Sequence, residues 1–488
     1  MNNQINKQKK KLYVAADEYI FSRCTYKILF LITTALITIP YIREKIEFFI
    51  DILMVYGFVI IGYELLRGKL LGALRSTKTA FFLGGFALSY AITILINQMH
   101  VISGFKTLAF MVLFFVLFFL FPQGTTKEQV TKEIKIVSAV IVAFTFVLST
   151  ISFILYIFSI SGTYTTGNGI YQAYYGMFEF RLWGLYNPNT SATLTIISIL
   201  LSISFIFTKK KKRILIPLII NIFIQFSVLL LTGSRAGYYV LAGTTAFGVF
   251  FGMVYVFKNF TAKNASIAIL SAAVSLLIFF AVGAVLREGL AYVPGLTTYV
   301  LSEPEEVVEG AKTEQKERID KVDLDRFEDP NAPESTAFAN RLDIWQASFK
   351  EFCEAPIFGV GRENVVKRAT ENLKDKKWSY HFKFGNTHNI YLCVLVSSGI
   401  VGFLILGSFA VITAGKSAKY VAKTYKKINI WFLSSFVLCL MMYATEFVES
   451  RILYKVCIFS TLFWIYCGYM YKLSKLEEAD QTEQDVLK

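Results

Sequence analysis

Residues 264–286 read NASIAILSAAVSLLIFFAVGAVL, an apolar run of 23 residues without a charged side chain. About 20 such residues in a helix cover the hydrocarbon core of a bilayer, which is ~30 Å thick. Within that core the backbone N–H and C=O groups must be bonded inside the protein, and a helix achieves this within one segment. The run therefore predicts a transmembrane helix.

Similar apolar runs recur along nearly the whole chain of 488 residues, of which 55% are hydrophobic and 17% charged. This composition excludes an ordinary soluble globular protein. We expect an all-α polytopic membrane protein with about twelve transmembrane helices. These spans are predicted at residues 26–42, 47–66, 80–96, 104–122, 135–160, 190–207, 214–232, 236–257, 264–286, 388–412, 428–447 and 453–472.

The spans divide the chain into four parts. Residues 1–286 hold transmembrane helices 1 to 9, residues 287–387 form a large loop, residues 388–472 hold helices 10 to 12, and residues 473–488 form a tail. Counting also the first and last three residues of each span, the segments on the side of the termini carry 28 Lys and Arg, against seven in the short segments on the other side. By the positive-inside rule both termini are cytoplasmic and the large loop is extracytoplasmic.

The net charge of +15 is also typical of nucleic-acid binders, but its distribution favours another partner. The loop 287–387 holds 15 Lys and Arg against 19 Asp and Glu, so the positive excess lies mostly beside membrane spans on one side. Positive charge in that position is expected to meet membrane lipids. We predict no nucleic-acid partner.

The large loop has three compositional parts. Residues 302–334 carry 12 acidic and 5 basic side chains, which predicts a solvated acidic insert. Residues 361–387 carry seven basic and three acidic side chains. Between them, residues 338–353 are predicted to form an amphipathic helix that Pro356 ends. Its apolar residues, spaced by steps of four, three, four and three, are Phe338, Leu342, Trp345, Phe349 and Phe352.

The common motifs for metal or nucleotide binding are missing from the sequence. There are three histidines, no CxxC or HExxH, and no phosphate-binding glycine loop. We therefore predict no metal site and no cofactor.

Arg235 stands in LLLTGSRAGYYVLAG, in a short turn between the spans at 214–232 and 236–257. An arginine held so close to a bilayer needs an anionic partner. One interpretation is a lipid phosphate that the side chain reaches by snorkelling. The other interpretation, a bound anionic substrate, gains support from further polar residues at the same predicted face.

Those further residues stand where other spans meet the outer face, and together with Arg235 they could form one polar pocket between helices. They lie at the mouths of spans six, ten and eleven, and they are Arg181, Asn187, Asn189, His388, Glu446, Glu449 and Arg451.

These residue types suit transfer of a group away from a pyrophosphate. A guanidinium offers parallel donors to phosphate oxygens and keeps its charge. An imidazole can take a proton from a hydroxyl near neutral pH. Two other interpretations stay open: His388 as a capping or interfacial residue, and Glu446 and Glu449 as ion-pair partners of Arg451.

At these residues the sequence resembles the O-antigen ligase and O-antigen (capsular repeat-unit) polymerase superfamily of membrane glycosyltransferases. The SRAG and THNIYL elements are the most specific. At Arg362 the family more often has proline, and the acidic insert is longer than is usual. The resemblance lies in four segments: RLWGLYNPNTSATL at 181–194, LTGSRAGYYVLAG at 231–243, RLDIWQASFKEFCEAPIFGVG at 341–361 and THNIYLCVLVSSGIVGFL at 387–404.

The resemblance implies an inverting, metal-independent enzyme of the bacterial cytoplasmic (inner) membrane. Its donor would be a glycan linked to undecaprenyl pyrophosphate, its acceptor a glycan or lipid-linked glycan, and a chain-length regulator protein is a candidate partner. By analogy, Arg235 would hold pyrophosphate and His388 would activate the acceptor hydroxyl. Arg181 and Arg341 would assist binding, and we add Asn187, Asn189 and Glu446 as candidate substrate-binding residues.

The motifs do not separate a polymerase of repeat units from a ligase that moves the finished glycan to a lipid or protein. A composition rich in Ile, Lys, Phe and Asn is typical of low-GC Firmicutes, which lack lipopolysaccharide, and therefore favours a capsule or exopolysaccharide polymerase. A polysaccharide flippase or transporter would show a similar span count. Transporters, however, usually place their polar sites near the bilayer midplane.

Overall fold

A computed structural model describes residues 19–98, 100–165, 172–208, 211–257, 261–301, 321–324, 339–365, 368, 387–424 and 427–486. The acidic insert predicted at 302–334 lies outside these residues except for 321–324. In chain order the helices are α1 (Arg23–Leu36), α2 (Pro40–Ile46), α3 (Phe48–Leu66), α4 (Lys69–Ser76), α5 (Ala80–Asn97), α6 (Val101–Leu113, continued by a π-helix at Phe114–Phe119), α7 (Lys127–Ile157), α8 (Pro188–Thr208), α9 (Lys212–Leu231), α10 (Arg235–Val256), α11 (Ala262–Ala291), α12 (Val293–Leu301), α13 (Ala339–Glu354), α14 (Ile390–Thr424), α15 (Ile430–Thr445) and α16 (Ile458–Val486).

The predicted all-α polytopic membrane fold is confirmed. Within the described ranges, nine helical segments are long and apolar enough to cross a membrane, and each coincides with a predicted span. The predicted span at 428–447 corresponds to the shorter apolar helix α15.

The first and last predicted spans are not among these nine segments, and the helices found there have other bounds. The span predicted at 26–42 is two helices, because α1 ends at Leu36 and α2 starts at Pro40, whose ring and missing N–H cannot continue a helix. At the other end, α16 begins at Ile458 rather than 453 and continues to Val486, through most of the predicted tail.

A small antiparallel sheet, which sequence analysis missed, precedes α8. Its strands pair in the order β1 (Gly162–Thr165), β2 (Gln172–Phe178) and β3 (Arg181–Gly184). The sequence here alternates Tyr, Thr and Phe around TGNG at 166–169, which is a signal for strands joined by a turn. The sheet matters for the site because β3 begins at Arg181.

The chain divides into two compact units. Unit 1 comprises Met1–Thr38, Ile42–Val140 and Glu334–Lys488, and unit 2 comprises Ile39–Tyr41 and Ile141–Pro333. The boundary falls within α7.

In unit 1, helix α14 is broken at Gly399, whose backbone adopts φ 63° and ψ −172°. The break frees two carbonyls before it and two N–H groups after it. Val360 N–H and Gly361 N–H donate to the carbonyls of Val396 and Ser397 (2.9 and 3.1 Å). The carbonyls of residues 356 and 357 accept from the N–H groups of residues 400 and 401 (2.8 and 3.2 Å). The PIFGVG segment at 356–361 therefore supplies the bonding partner for each of these four backbone groups.

This pairing requires glycine on both sides. A Cβ at Gly359 would lie 2.5 Å from the Gly399 nitrogen, and a Cβ at Gly399 would lie 2.2 Å from the Ile357 carbonyl oxygen. Both glycines also have positive φ, of 74° and 63°. Only glycine combines that conformation with so close a backbone approach.

Helix α13 leads into the same segment. Trp345 and Phe352 of the predicted apolar face pack against the cluster that contains Val360 and Val396, whereas Leu342 and Phe349 are about half exposed (48% and 53%). The residues that α13 buries instead are Ile344, Ala347, Ser348 and Glu351. In a membrane protein, apolar side chains that face away from the core can face lipid, so periodicity alone did not identify the buried face.

In unit 2, a ladder of buried polar side chains ties α7, α8 and α9 together. Asn221 of α9 donates to Ser198 of α8 (3.0 Å), which accepts from Thr145 of α7 (2.7 Å). One turn along α9, Gln225 accepts from Ser149 of α7 (2.8 Å) and donates to Asn221 (2.9 Å). Such interhelical hydrogen bonds fix helix positions where there is no water to compete.

We predict that Gly399→Ala destabilises the protein by at least about 1 to 3 kcal/mol, the usual cost of a non-glycine residue in a strained backbone conformation. The clash with Ile357 adds to that cost. Gly407→Ala, in the same helix but with no atom within 4 Å of its new Cβ, is the matched control and should be neutral or slightly stabilising. Thermal unfolding in detergent measures both. Equal midpoints for the two variants would show that the break does not depend on Gly399.

Candidate active site

Three successive residues, 232 to 234, form the turn that precedes Arg235. Helix α9 is followed by Thr232, then by Gly233 in the left-handed conformation (φ 60°). Ser234 caps α10 by accepting from Gly237 N–H (3.4 Å). Arg235 is therefore the first residue of a 22-residue helix, where free N–H groups and the helix dipole make the surroundings favourable to an anion.

Arg181 holds this turn against the start of α8. Its Nε donates to the Thr232 carbonyl (2.8 Å), and its Nη2 donates to Asn189 Oδ1 (2.9 Å). Glycine is favoured at 233 by the left-handed backbone, since a Cβ there would make only an ordinary contact with Arg181 Cγ (3.4 Å). The guanidinium thus links the N-terminal end of α8 to the turn between α9 and α10.

Asn187 and Asn189 shape the N-terminus of α8. The Asn187 side chain accepts from Asn189 N–H (2.9 Å), and its carbonyl accepts from Ser191 N–H (2.9 Å). Asn187 therefore caps α8, and Asn189 accepts from Arg181. The structure brings Arg181, Asn187 and Asn189 together with the turn that precedes Arg235.

A cavity of about 310 Å³ lies beside Arg235 in unit 2. Arg235 and Arg287 both line it, and its walls include Tyr238, Tyr239 and Phe280. Sequence analysis missed Arg287. It directly follows the uncharged run 264–286, so the signal that singled out Arg235, an arginine at the mouth of a span, also applied to it.

His388 lies in unit 1, immediately before α14. Its backbone has positive φ (48°), and its side chain is 21% exposed. Nδ1 is 3.8 Å from Glu449 Oε2, which is beyond hydrogen-bond distance. The capping of α14 comes from Asn389, whose Oδ1 accepts from Leu392 N–H (3.0 Å).

Glu446 is fully buried at the end of α15. Its carboxylate accepts from Arg451 twice, from the backbone N–H (2.6 Å) and from Nε (3.2 Å). Its own carbonyl accepts from Ile390 N–H (3.0 Å). Glu446 thereby fixes the start of α14, two residues after His388.

Arg341 lies in the first turn of α13 and is partly buried. Trp345, one turn further, donates its indole N–H to the carbonyl of Thr387 (3.1 Å). This bond ties α13 to the residue that precedes His388.

The predicted site residues therefore fall into two sets. Arg181, Asn187, Asn189 and Arg235 lie in unit 2, and Arg341, His388 and Glu446 lie in unit 1. That the two sets serve one pocket stays a prediction.

Comparison with known proteins adds two findings. An uncharacterized protein of Haemophilus influenzae is 24% identical to this chain over 219 residues, which cover 45% of this chain and 47% of that protein, so the chain spans about half of the relative's length. A family model described as O-Antigen ligase matches residues 220–407, which include Arg235, Arg287, Arg341 and His388. Residues 220–407 of this chain are therefore similar to the O-antigen ligase family.

Proposed function

We propose that this protein transfers a glycan from undecaprenyl pyrophosphate to an acceptor glycan at the outer face of the bacterial cytoplasmic membrane. We further propose that it polymerises the repeat units of a capsular or exopolysaccharide. The observation that carries the proposal is Arg235, which heads α10 beside a cavity with aromatic walls, inside the region that matches the family.

That combination of groups suits a lipid-linked pyrophosphate. The phosphates need fixed positive charge, and a helix N-terminus with an arginine supplies it. The lipid chain needs an apolar path, and Tyr238, Tyr239 and Phe280 offer one.

The proposed reaction is a direct displacement at the anomeric carbon. His388 takes the proton of the acceptor hydroxyl, and the hydroxyl oxygen forms the new glycosidic bond. The bond between the anomeric carbon and the pyrophosphate oxygen breaks, and its electron pair stays with undecaprenyl pyrophosphate. One such displacement inverts the anomeric configuration. Arg235 stabilises the negative charge that develops on the leaving group.

The other site residues have positioning roles in this proposal. Arg181 holds the turn before Arg235 through Thr232, and Asn187 and Asn189 form the end of α8 that Arg181 binds. Glu446 fixes the start of α14 beside His388. Arg341 is proposed to assist substrate binding by analogy with the family.

A broken helix is also typical of transporters, which place substrates at such breaks. In α14 the freed backbone groups at the break bond residues 356–361, so this break is filled by the protein's own backbone. That arrangement favours a structural role for the break and supports the transferase over the transporter.

We predict that Arg235→Lys folds normally yet transfers glycan about tenfold to several-hundredfold more slowly. A lysine snorkels as well as an arginine but cannot form the planar fork, and each lost charge-assisted bond costs about 1.5 to 3 kcal/mol. Transfer is measured with lipid-linked repeat units, and accumulation of single units is scored in cells. Arg213→Lys is the control and should match the wild type. Arg213 directly precedes the span at 214–232, at the end that is predicted to be cytoplasmic. Full activity in Arg235→Lys would mean that Arg235 serves lipid headgroups.

We predict that His388→Ala lowers the transfer rate by about a hundredfold to ten-thousandfold, the usual contribution of a general base. His100→Ala is a close control, because His100 also precedes a helix with positive φ (47°) but is exposed. Both variants should extract and unfold like the wild type. Transfer by His388→Ala at the wild-type rate would exclude this residue as the base and direct attention to Glu449.

A further inference from the structure

We infer that Arg362 and Lys455 of unit 1 bind a carboxylate on the acceptor near His388, so that the acceptor is an acidic glycan. This inference rests on the proposed function and deepens it, because it names the chemical class of the acceptor. Neither cation has a role in the reaction proposed above.

Two buried tyrosines bring Arg362 and Lys455 together. The backbone N–H of Arg362 donates to the Tyr90 hydroxyl (3.3 Å), and the ring of Tyr90 packs against that of Tyr454, with centroids 5.3 Å apart. Tyr90 is fully buried and Tyr454 is 9% exposed. Because Lys455 directly follows Tyr454, the two cations extend from neighbouring points of the backbone, both anchored in the interior of unit 1.

The break in α14 fixes both of these points. The Tyr454 hydroxyl bonds the hydroxyl of Ser398 (2.6 Å), one residue before the break. Arg362 directly follows Gly361, whose N–H donates to the carbonyl of Ser397 (3.1 Å). The backbone beside each cation is therefore held before a ligand arrives, which lowers the entropy cost of binding.

The carboxylate next to Arg362 is turned toward other partners. Glu363 accepts from the Tyr90 hydroxyl (3.0 Å) and from the Thr107 hydroxyl (2.6 Å). Among the residues that the structure describes, neither the Arg362 guanidinium nor the Lys455 ammonium forms an ion pair or a hydrogen bond. Two positive charges are thus open to an anionic ligand.

Further charges surround Lys455. Its pKa is lowered from the usual value, first by desolvation and then by the charges of Arg43 and Arg362, while Glu449 acts in the opposite direction. Lys455 nevertheless keeps an exposed surface, so a ligand can reach it. Since like charges that gather in one place repel one another, an anion bound among them is favourable.

The position of this cluster indicates which anion it binds. Glu449, which lies near Lys455, has its Oε2 3.8 Å from Nδ1 of His388, the proposed base. An anion bound at the cluster therefore lies close to the reacting hydroxyl. The diphosphate of a lipid-linked acceptor is separated from that hydroxyl by the rest of the repeat unit, whereas a uronic acid carries its carboxylate on the reacting sugar itself. The planar fork of an arginine can bind such a carboxylate through two parallel bonds.

The test is binding of methyl glucuronide and methyl glucoside, which differ only in carboxylate against hydroxymethyl, to the full chain in phosphatidylcholine nanodiscs. The wild type should bind the glucuronide at least about tenfold more tightly. Arg362→Gln and Lys455→Gln should each remove most of this preference, while the glucoside affinity stays within about threefold. The control is Lys106→Gln, next to Thr107, because Lys106 pairs with Asp51 (2.7 Å), and it should leave both affinities unchanged.

Three results would overturn the inference. The first is equal affinity of the wild type for the two glycosides. The second is undiminished glucuronide preference in Lys455→Gln, which tests the site even if Arg362→Gln folds poorly, because Lys455 is exposed. The third is equal weakening by Lys106→Gln and Lys455→Gln, which would mean that only the general positive charge of this region attracts the glucuronide.

Glycan transfer separates this inference from the proposed function. Arg362→Gln should raise the KM about tenfold for a lipid-linked unit whose reacting sugar is glucuronic acid, and leave kcat within about threefold. If the glucuronide preference is found but no glycan is transferred to any acceptor, the carboxylate site stands and the transferase proposal fails. If transfer occurs and depends on His388, but glucose-ended and glucuronic-acid-ended units are used equally well, the transferase proposal stands and this inference is wrong.

Discussion

A helix that is broken within a membrane must find partners for the backbone groups it frees, and the α14 break at Gly399 finds them in residues 356–361. This exchange of four backbone hydrogen bonds joins the end of the large loop to a membrane helix. The two segments that it joins, PIFGVG and THNIYLCVLVSSGIVGFL, are both among those by which the sequence resembles the O-antigen ligase and polymerase superfamily. Through α13 and the Trp345 bond to Thr387, the same contact also fixes the backbone beside His388.

In unit 2, too, backbone groups that lack partners within a helix are involved, here at the helix ends. The N-termini of α8 and α10 carry free N–H groups, and Arg181 binds the chain beside both of them. Glycine at 233 adopts the left-handed conformation that the turn requires, and Ser234 caps α10 so that Arg235 becomes its first residue. The chemistry proposed for this protein therefore depends on helix ends, where backbone polarity and arginine charge add together.

Much of the fold was predictable because uncharged runs of about 20 residues have one stable structure in a bilayer. Two of the errors had local signals that were overlooked: Pro40 ends the first span, and Tyr, Thr and Phe alternate around TGNG at 166–169 in the sheet region. The buried face of α13 depended on tertiary contacts, because the exposed Phe349 could not be told from a core residue. Residue type identified Arg235 and His388 as unusual, but only the structure shows that Asn187 is a cap, that Glu446 is held by Arg451 and that Arg287 shares the cavity of Arg235.

In the proposed reaction, glycan leaves a polyprenyl pyrophosphate by direct displacement, with no metal ion required. The most direct measurement uses the purified protein in proteoliposomes with synthetic lipid-linked repeat units and excess chelator. Direct displacement predicts one undecaprenyl pyrophosphate released for each glycosidic bond formed, with inverted anomeric configuration and an unchanged rate in chelator. Movement of intact lipid-linked units across the bilayer without bond formation, or transfer that only a divalent ion restores, would contradict it.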